Sequence, residues 1–254
     1  MLRFASLGSG SRGNATLVQT DTTLVLVDCG FAARELERRC VELGVNLDQL
    51  NAILVTHEHG DHQRGVGPVA RRYQVPVWLT PGTARSAKFG ELPSRHFINM
   101  HAAAVTLGDL EITPVAVPHD AREPVQFIFR HAGNSFGMLT DLGHITPHVQ
   151  ASYAELDALL LEANHDTQML AQGPYPPALQ KRVGGDYGHL NNQQAADFLG
   201  KTQLQHLRYL VVAHLSEQNN QPALAQETLC AVDERVEACL SLLQQASPSD
   251  WYTL

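Results

Sequence analysis

The sequence predicts an α/β protein of four layers, helix–sheet–sheet–helix (αββα), folded as a single domain over residues 1–254. Three observations point there. The chain is 44% hydrophobic and 17% charged over 254 residues, enough to bury a large core without dividing. Its first quarter reads sheet, helix, sheet, and its middle is a block of short strands. Helical segments then flank further single strands.

The elements follow in order. Leu2–Leu7, Ala15–Thr20 and Thr23–Asp28 are β-rich runs separated by Gly/Ser or Asp-Thr turns. Phe31–Leu43 carries Phe31, Leu36, Cys40 and Leu43 at helical spacing and stops at Gly44, as a helix C-terminus does. Ala52–Val55 is a short apolar strand leading into His57; a helix over Val66–Tyr73 and a strand at Val77–Leu79 follow. Between Phe97 and Thr140 the strands Val105–Leu107, Leu110–Val117, Val125–Arg130 and Ser135–Thr140 are separated by Gly-Asp, Pro-His-Asp and Gly-Asn turns. Then come a buried strand at Ala158–Glu162, a Pro-rich loop, a helix at Asn191–Leu199, a core strand at Tyr209–Ala213 and one long helix over Pro222–Leu243. Trp251–Leu254 closes a sheet edge. No repeat or linker interrupts the series.

The bulk charges exclude some functions. Against 18 Lys+Arg stand 26 Asp+Glu, for a formal charge of −8, which argues against a protein that coats nucleic acid through released counterions. The opening MLRFASLGSGSRGN breaks into Gly and Ser too early for a signal-peptide apolar region, and no apolar stretch is long enough for a membrane span. Cys29, Cys40, Cys230 and Cys239 lack CxxC spacing and sit in apolar-periodic segments, so buried free thiols in a reducing, cytoplasmic setting are expected. No segment marks a membrane partner or an obligate protein partner.

The chemistry concentrates at His57-Glu58-His59-Gly60-Asp61-His62, directly after a buried strand. Imidazole and carboxylate together suit zinc, manganese or iron (Zn, Mn or Fe). In a loop, His57 and His59 can clamp one ion while Asp61 and His62 reach a second. A surface cluster matching all four positions by chance is on the order of one in a thousand. Two metal ions need more ligands, and three polar residues end apolar strands: His119, Asp141 and His214. Each alone reads as a solvated loop residue; with the cluster they complete seven.

These motifs, in this order and spacing, resemble the metallo-β-lactamase superfamily. The resemblance implies that His57, His59 and His119 hold one divalent metal, that Asp61, His62 and His214 hold the other, and that Asp141 bridges them. It also implies that Asp28, ending its strand before Cys29-Gly30, steadies the metal loop. A bridging Asp sets the chain apart from the zinc β-lactamases.

Three segments bear on substrate. Gly188-His189-Leu190-Asn191-Asn192 opens a helix, and in the phosphodiesterase branches a His at a similar position assists phosphate cleavage. Leu159–His165 resembles the strand end whose Glu, here Glu162, partners that His and fixes its tautomer. Leu7–Asn14, with Ser9, Ser11 and Asn14, is a Gly/Ser loop suited to an anion nest for phosphate. Lys181 and Arg182, with Arg12, Arg64 and Arg122 in nearby loops, would make a basic rim that draws the end of a polyanion.

Ser9–Asn14, Pro174–Gly188, Gly188-His189-Leu190 and Ala213-His214-Leu215-Ser216 together resemble the YycJ/WalJ group, which is regarded as a bacterial 5′→3′ DNA exonuclease family. Asn191 departs from the Ser of that group's Gly-His-Leu-Ser-Asn run. The expected activity is therefore two-metal hydrolysis of a phosphodiester at a DNA 5′ end, with a metal-bridging hydroxide as nucleophile and Asp61, His189 and Glu162 as catalytic residues, His189 assisting the leaving group and Glu162 orienting His189. A small-molecule or cyclic-nucleotide phosphodiesterase, a glyoxalase-type thioester hydrolase and a metal-retaining binding or carrier protein are the alternatives. His96, His101, His131, His144, His148 and His206 are assigned to surface or packing roles.

Overall fold

A computed structural model describes residues 1–100 and 104–254; His101 lies outside the described residues. Two seven-stranded sheets face each other. The first holds β1 (Arg3–Gly8), β2 (Ala15–Gln19), β3 (Leu24–Val27), β4 (Ala52–Leu54), β5 (Val77–Leu79) and β6 (Arg95–Phe97). The second holds β7 (Val105–Leu107), β8 (Leu110–Ala116), β9 (Val125–His131), β10 (Asn134–Leu139), β11 (Ala158–Glu162), β12 (Tyr209–Ala213) and β13 (Leu240–Leu242) in reverse order of sequence. β14 (Tyr252–Thr253) returns to pair with β1, closing that edge as expected.

Side-chain alternation builds the layers. In β3, Val25 and Val27 pack between the sheets, while Leu24 and Leu26 face the first helical layer. In β12, Val211 and Ala213 point inward, and Leu210 and Val212 point to the second helical layer. Period 2 thus gives each central strand two buried faces. α1 (Ala33–Glu42), α2 (Gly60–Gln63), α3 (Val66–Tyr73) and α4 (Pro81–Ser86) arise from the first half. α1 and α3 cover the first sheet with Leu36, Cys40, Val66, Val69 and Ala70. α5 (Pro147–Ser152), α6 (Thr167–Gln172), α7 (Pro177–Val183), α8 (Asn192–Leu199), α9 (Pro222–Cys230) and α10 (Glu234–Cys239) arise from the second half, and α5, α8, α9 and α10 cover the second sheet. The four-layer αββα architecture is as the sequence predicts, and all four cysteines are free thiols.

Local readings differ in several places, among them the helices α4 and α5, which the sequence reading does not include. The long helix expected over Pro222–Leu243 is broken: Asp233 caps a new helix by accepting from Arg235 N–H, and Leu240–Leu242 leaves the helix to pair with β12. An apolar run that can continue a helix or join a sheet edge is decided by tertiary pairing. The Pro-rich loop contains α6 and α7, and β6 extends the first sheet beyond the strands expected. Asn191 does the capping work of the Ser it replaces: its side chain accepts from Gln194 N–H, and the Gln194 side chain returns to the Asn191 N–H. No described helix is long and apolar enough to cross a membrane.

Each sheet changes from antiparallel to parallel along its width. β3, β4, β5 and β6 run parallel, as do β10, β11, β12 and β13. Their C-terminal ends therefore share a rim, where α/β sheets present functional side chains. Three rim residues hold the left-handed conformation: Asp28 (φ 58°), Asp141 (φ 56°) and His214 (φ 55°). Asp and His are among the few non-Gly types that tolerate it, at a cost of about 1 kcal/mol or more each.

Gly30 locks the rim loops together. Asn14 N–H donates to the Asp61 carbonyl at 2.8 Å, Gly30 N–H donates to the Asn14 carbonyl, and a Cβ on Gly30 would stand 1.7 Å from the Asp61 oxygen. Gly30→Ala should displace the Asp61 loop and lower stability by roughly 1–3 kcal/mol, the usual cost of overpacking. Chemical denaturation of the metal-free protein measures it; an unchanged midpoint would contradict this packing.

Candidate metal centre

Six imidazoles and three carboxylates from across the chain meet at the rim. His57, His59 and His119 each offer one nitrogen, and these atoms lie within 4.8 Å of one another; so do ligand atoms of Asp61, His62 and His214. Asp141 forms a third such group with His57 and His62, one from each triad, and a fourth with Glu162, His189 and His214. The structure therefore brings together all seven expected metal ligands, with Glu162 and His189 beside them.

His57, His62, His119 and His214 are each held by an oxygen on the outward nitrogen. His57 Nδ1 meets Thr56 Oγ1 at 2.9 Å, and that hydroxyl donates to Asp28 Oδ2 at 2.7 Å. His62 Nδ1 meets the same Asp28 oxygen at 2.8 Å, and Thr56 N–H donates to Asp28 Oδ1. His119 Nδ1 meets the Gly188 carbonyl at 3.0 Å. His214 Nδ1 meets Glu162 Oε1 at 2.9 Å. His59 Nε2 faces Asp120 Oδ1 at 3.6 Å. With the outward nitrogens donating, the inward ones present lone pairs, the tautomer a metal ligand requires.

Those inward atoms fit a cation. Among the described residues His57 Nε2, His214 Nε2 and Asp141 Oδ2 are buried without a hydrogen-bond partner. His59 Nδ1 and His119 Nε2 face each other at 3.3 Å, two lone pairs aimed at one point. Buried polar atoms left unpaired are costly unless something binds them.

The electrostatics agree. Burial pushes His57 and His119 below the ordinary imidazole value and keeps them neutral. Burial works the same way on His214, yet Asp141, Asp61 and Glu162 outweigh it and raise the group to about 10. His62 is likewise raised by Asp141, Asp61 and Asp28. Burial would raise the Asp61 and Glu162 carboxyls, but the neighbouring imidazoles hold both at about 2. So much negative charge in one buried place favours divalent cations.

Glu162 is completely buried and works twice. One oxygen, Oε1, meets both His214 Nδ1 and His189 Nδ1 at 2.9 Å, and Oε2 accepts from Leu190 N–H at 3.0 Å. His189 stays partly exposed and lines a cavity of about 400 Å³ together with His59, Asp61, Asp120, Asp141 and His214.

The remaining expected residues divide. Ser11 and Arg182 line that cavity. Ser9 instead uses its hydroxyl to accept from His214 N–H at 2.9 Å. Asn14 is buried; its amide reaches His62 Nε2, the inward nitrogen, at 3.1 Å and Asp61 Oδ2 at 3.4 Å, so it faces these side chains rather than the cavity. Lys181 is exposed on α7 and does not line the cavity. Arg12 pairs with Glu217 at the surface. Thr56, Asp120 and the Gly188 carbonyl were not anticipated. The signal for the first two was adjacency, since each stands next to a ligand in sequence.

The profile described as "Beta-lactamase superfamily domain" matches residues 23–215. Exodeoxyribonuclease YycJ of Bacillus anthracis is 34% identical over 236 residues, covering 92% of this chain and 89% of that protein. Exodeoxyribonuclease WalJ of Streptococcus pneumoniae is 33% identical over 233 residues, covering 89% and 86%. The metallo-β-lactamase fold protein YhfI of Bacillus subtilis superposes with a TM-score of 0.73 at 15% identity, covering 98% of this chain and 99% of that one, which shows the shared fold. The chain belongs to the β-lactamase superfamily and, within it, to the family of the YycJ and WalJ proteins.

Cation binding at these nitrogens must displace protons from His62 and His214, which their carboxylate neighbours raise above the ordinary imidazole value, His214 to about 10. Manganese or zinc affinity should therefore climb as pH rises from about 6 to 8, with protons released on binding. Calorimetry in two buffers of different ionisation enthalpy reads both; a pH-independent affinity would contradict the arrangement.

Proposed function

We propose that the protein is a metal-dependent nuclease that uses two divalent metal ions (zinc, manganese or iron) to hydrolyse phosphodiesters at the 5′ end of DNA. Hydrolase chemistry is the activity of its family, and the YycJ and WalJ relatives are exodeoxyribonucleases by name. The observation that carries the reading to phosphodiesters is His189, held by Glu162 in the wall of the cavity that contains the metal groups.

His57, His59 and His119 would hold one ion, Asp61, His62 and His214 the other, with Asp141 between. Bound there, the metals supply Lewis-acid stabilisation of the phosphate and an activated water near neutral pH. The protein supplies the rest. Asp28 and Glu162 keep the imidazoles in the ligand tautomer and angle. His189, with Nδ1 engaged by Glu162, has Nε2 as the nitrogen available to the departing oxygen. A proton given from Nε2 neutralises that oxygen as the P–O bond breaks. Arg182, whose Nε is held by Asp120, brings a guanidinium to the cavity for a non-bridging phosphate oxygen. Of the basic residues expected at a rim, Arg182 lines the cavity, and on a chain carrying −8 overall one such guanidinium would favour a strand end over the length of a duplex.

The test compares 5′-phosphorylated DNA, an aryl phosphodiester and a thioester at defined metal content. His189→Ala should lower kcat on DNA by about 10²- to 10⁴-fold, the usual worth of a positioned acid, with metal content unchanged. His59→Ala and Asp61→Ala should lose metal and turnover together. A His189→Ala protein at full rate would remove the role given to it. Thioester turnover without DNA cleavage under any metal would overturn the nuclease reading.

A further inference from the structure

α7 and the residues before it place an apolar surface where the chemistry alone would not. Leu179 and Val183 stand four residues apart on α7, the spacing that puts side chains on one helix face, and Tyr175 lies in the bend just before the helix. All three line the cavity that contains His59, Asp61, Asp141, His189 and His214. Each is half-buried, and no residue of α7 is fully buried, so this face is not committed to the core. Among the described residues, Tyr175 makes no side-chain hydrogen bond, ion pair or ring contact. An unengaged aromatic ring and two aliphatic side chains thus overhang a floor of imidazoles and carboxylates.

Charge and size narrow what fits there. Arg182, one turn from Leu179, reaches the same cavity with its guanidinium braced by Asp120. The occupant therefore carries an anionic group for the floor and rim and a flat, weakly polar part for the roof. About 400 Å³ is at the small end of ligand pockets, suited to one nucleotide rather than a duplex.

We infer that Tyr175, Leu179 and Val183 form a shelf for the nucleobase of the nucleotide whose phosphate is cut. This deepens and rests on the nuclease reading above. Stacking on an aromatic ring accepts every base, because each has a π-face, which suits an enzyme that removes successive nucleotides without reading sequence. The loop joining α7 to His189 fixes the shelf relative to the chemistry. His189 N–H donates to the Val183 carbonyl at 2.9 Å, and a Cβ on Gly188 would stand 2.1 Å from that same oxygen. The shelf and the acid are thus tied through one carbonyl.

The test titrates manganese-loaded protein with deoxyadenosine 5′-monophosphate and, separately, with 2-deoxyribose 5-phosphate, which keeps the phosphate and lacks the base. Wild type and Tyr175→Phe should bind the nucleotide about tenfold or more tighter than the sugar phosphate. In Tyr175→Ala that ratio should fall towards one. A structural fault would weaken both ligands and leave the ratio alone. Equal affinities in wild type, or an undiminished ratio in Tyr175→Ala, would overturn the shelf. Cleavage of 5′-phosphorylated DNA is followed on the same wild-type preparation. Absent cleavage with the nucleotide preference intact would overturn the nuclease reading and leave the shelf standing.

Discussion

Asp28 holds ligands of both triads with one buried carboxylate. It meets His62 Nδ1 directly and reaches His57 through the Thr56 hydroxyl, so a single side chain sets two imidazole orientations. Glu162 repeats the device across the site, with one oxygen on His214 and on His189. A carboxylate this buried is stable only when its lone pairs are filled, and the imidazole N–H groups fill them. The acids orient the imidazoles, and at Glu162 the imidazoles in turn hold the carboxyl at about 2, whereas at Asp28 burial outweighs His62 and raises the carboxyl above its ordinary value. The proposed metal ligands and the proposed acid–base pair are consequently one hydrogen-bonded unit, and changes to its members should not be additive.

The two-sheet architecture makes that unit possible. Parallel strands bring β3 and β4 from one sheet, and β10, β11 and β12 from the other, to a shared rim. The strand interiors are committed to three cores, and the polar groups begin where the strands stop. Left-handed residues at Asp28, Asp141 and His214 take the chain out of the sheet at that point. Three strained positions around one site mark it as the place where the fold gives up local stability.

Much of this was legible in the sequence, for identifiable reasons. His57–His62 is contiguous, so its meaning does not depend on topology. His119, Asp141 and His214 could be picked out because an apolar run ending in a polar residue places that residue at a sheet rim whatever the strand order. Asp120 and Thr56 were hidden because their roles depend on side-chain direction, which spacing does not encode. The Ser9–Asn14 loop reads as a phosphate nest from its glycines, yet Ser9 and Asn14 turn inward to His214, His62 and Asp61. Those partners are distant in sequence and adjacent only once the sheets form. The helix break at Asp233 and the strand Leu240–Leu242 are hidden for the same reason: pairing with β12 decides a segment whose local pattern permits either state. The sequence over α7 has the look of a loop because its prolines suggest irregularity, although Pro177 starts the helix where proline is tolerated.

The central claim is that the rim is built for two cations. Anomalous-scattering maps from crystals of the manganese- or zinc-loaded protein test it most directly. The account predicts two peaks about 3.5–4 Å apart, one among His57, His59 and His119 and one among Asp61, His62 and His214, with Asp141 reaching both. A single peak, or peaks away from these side chains, would contradict it.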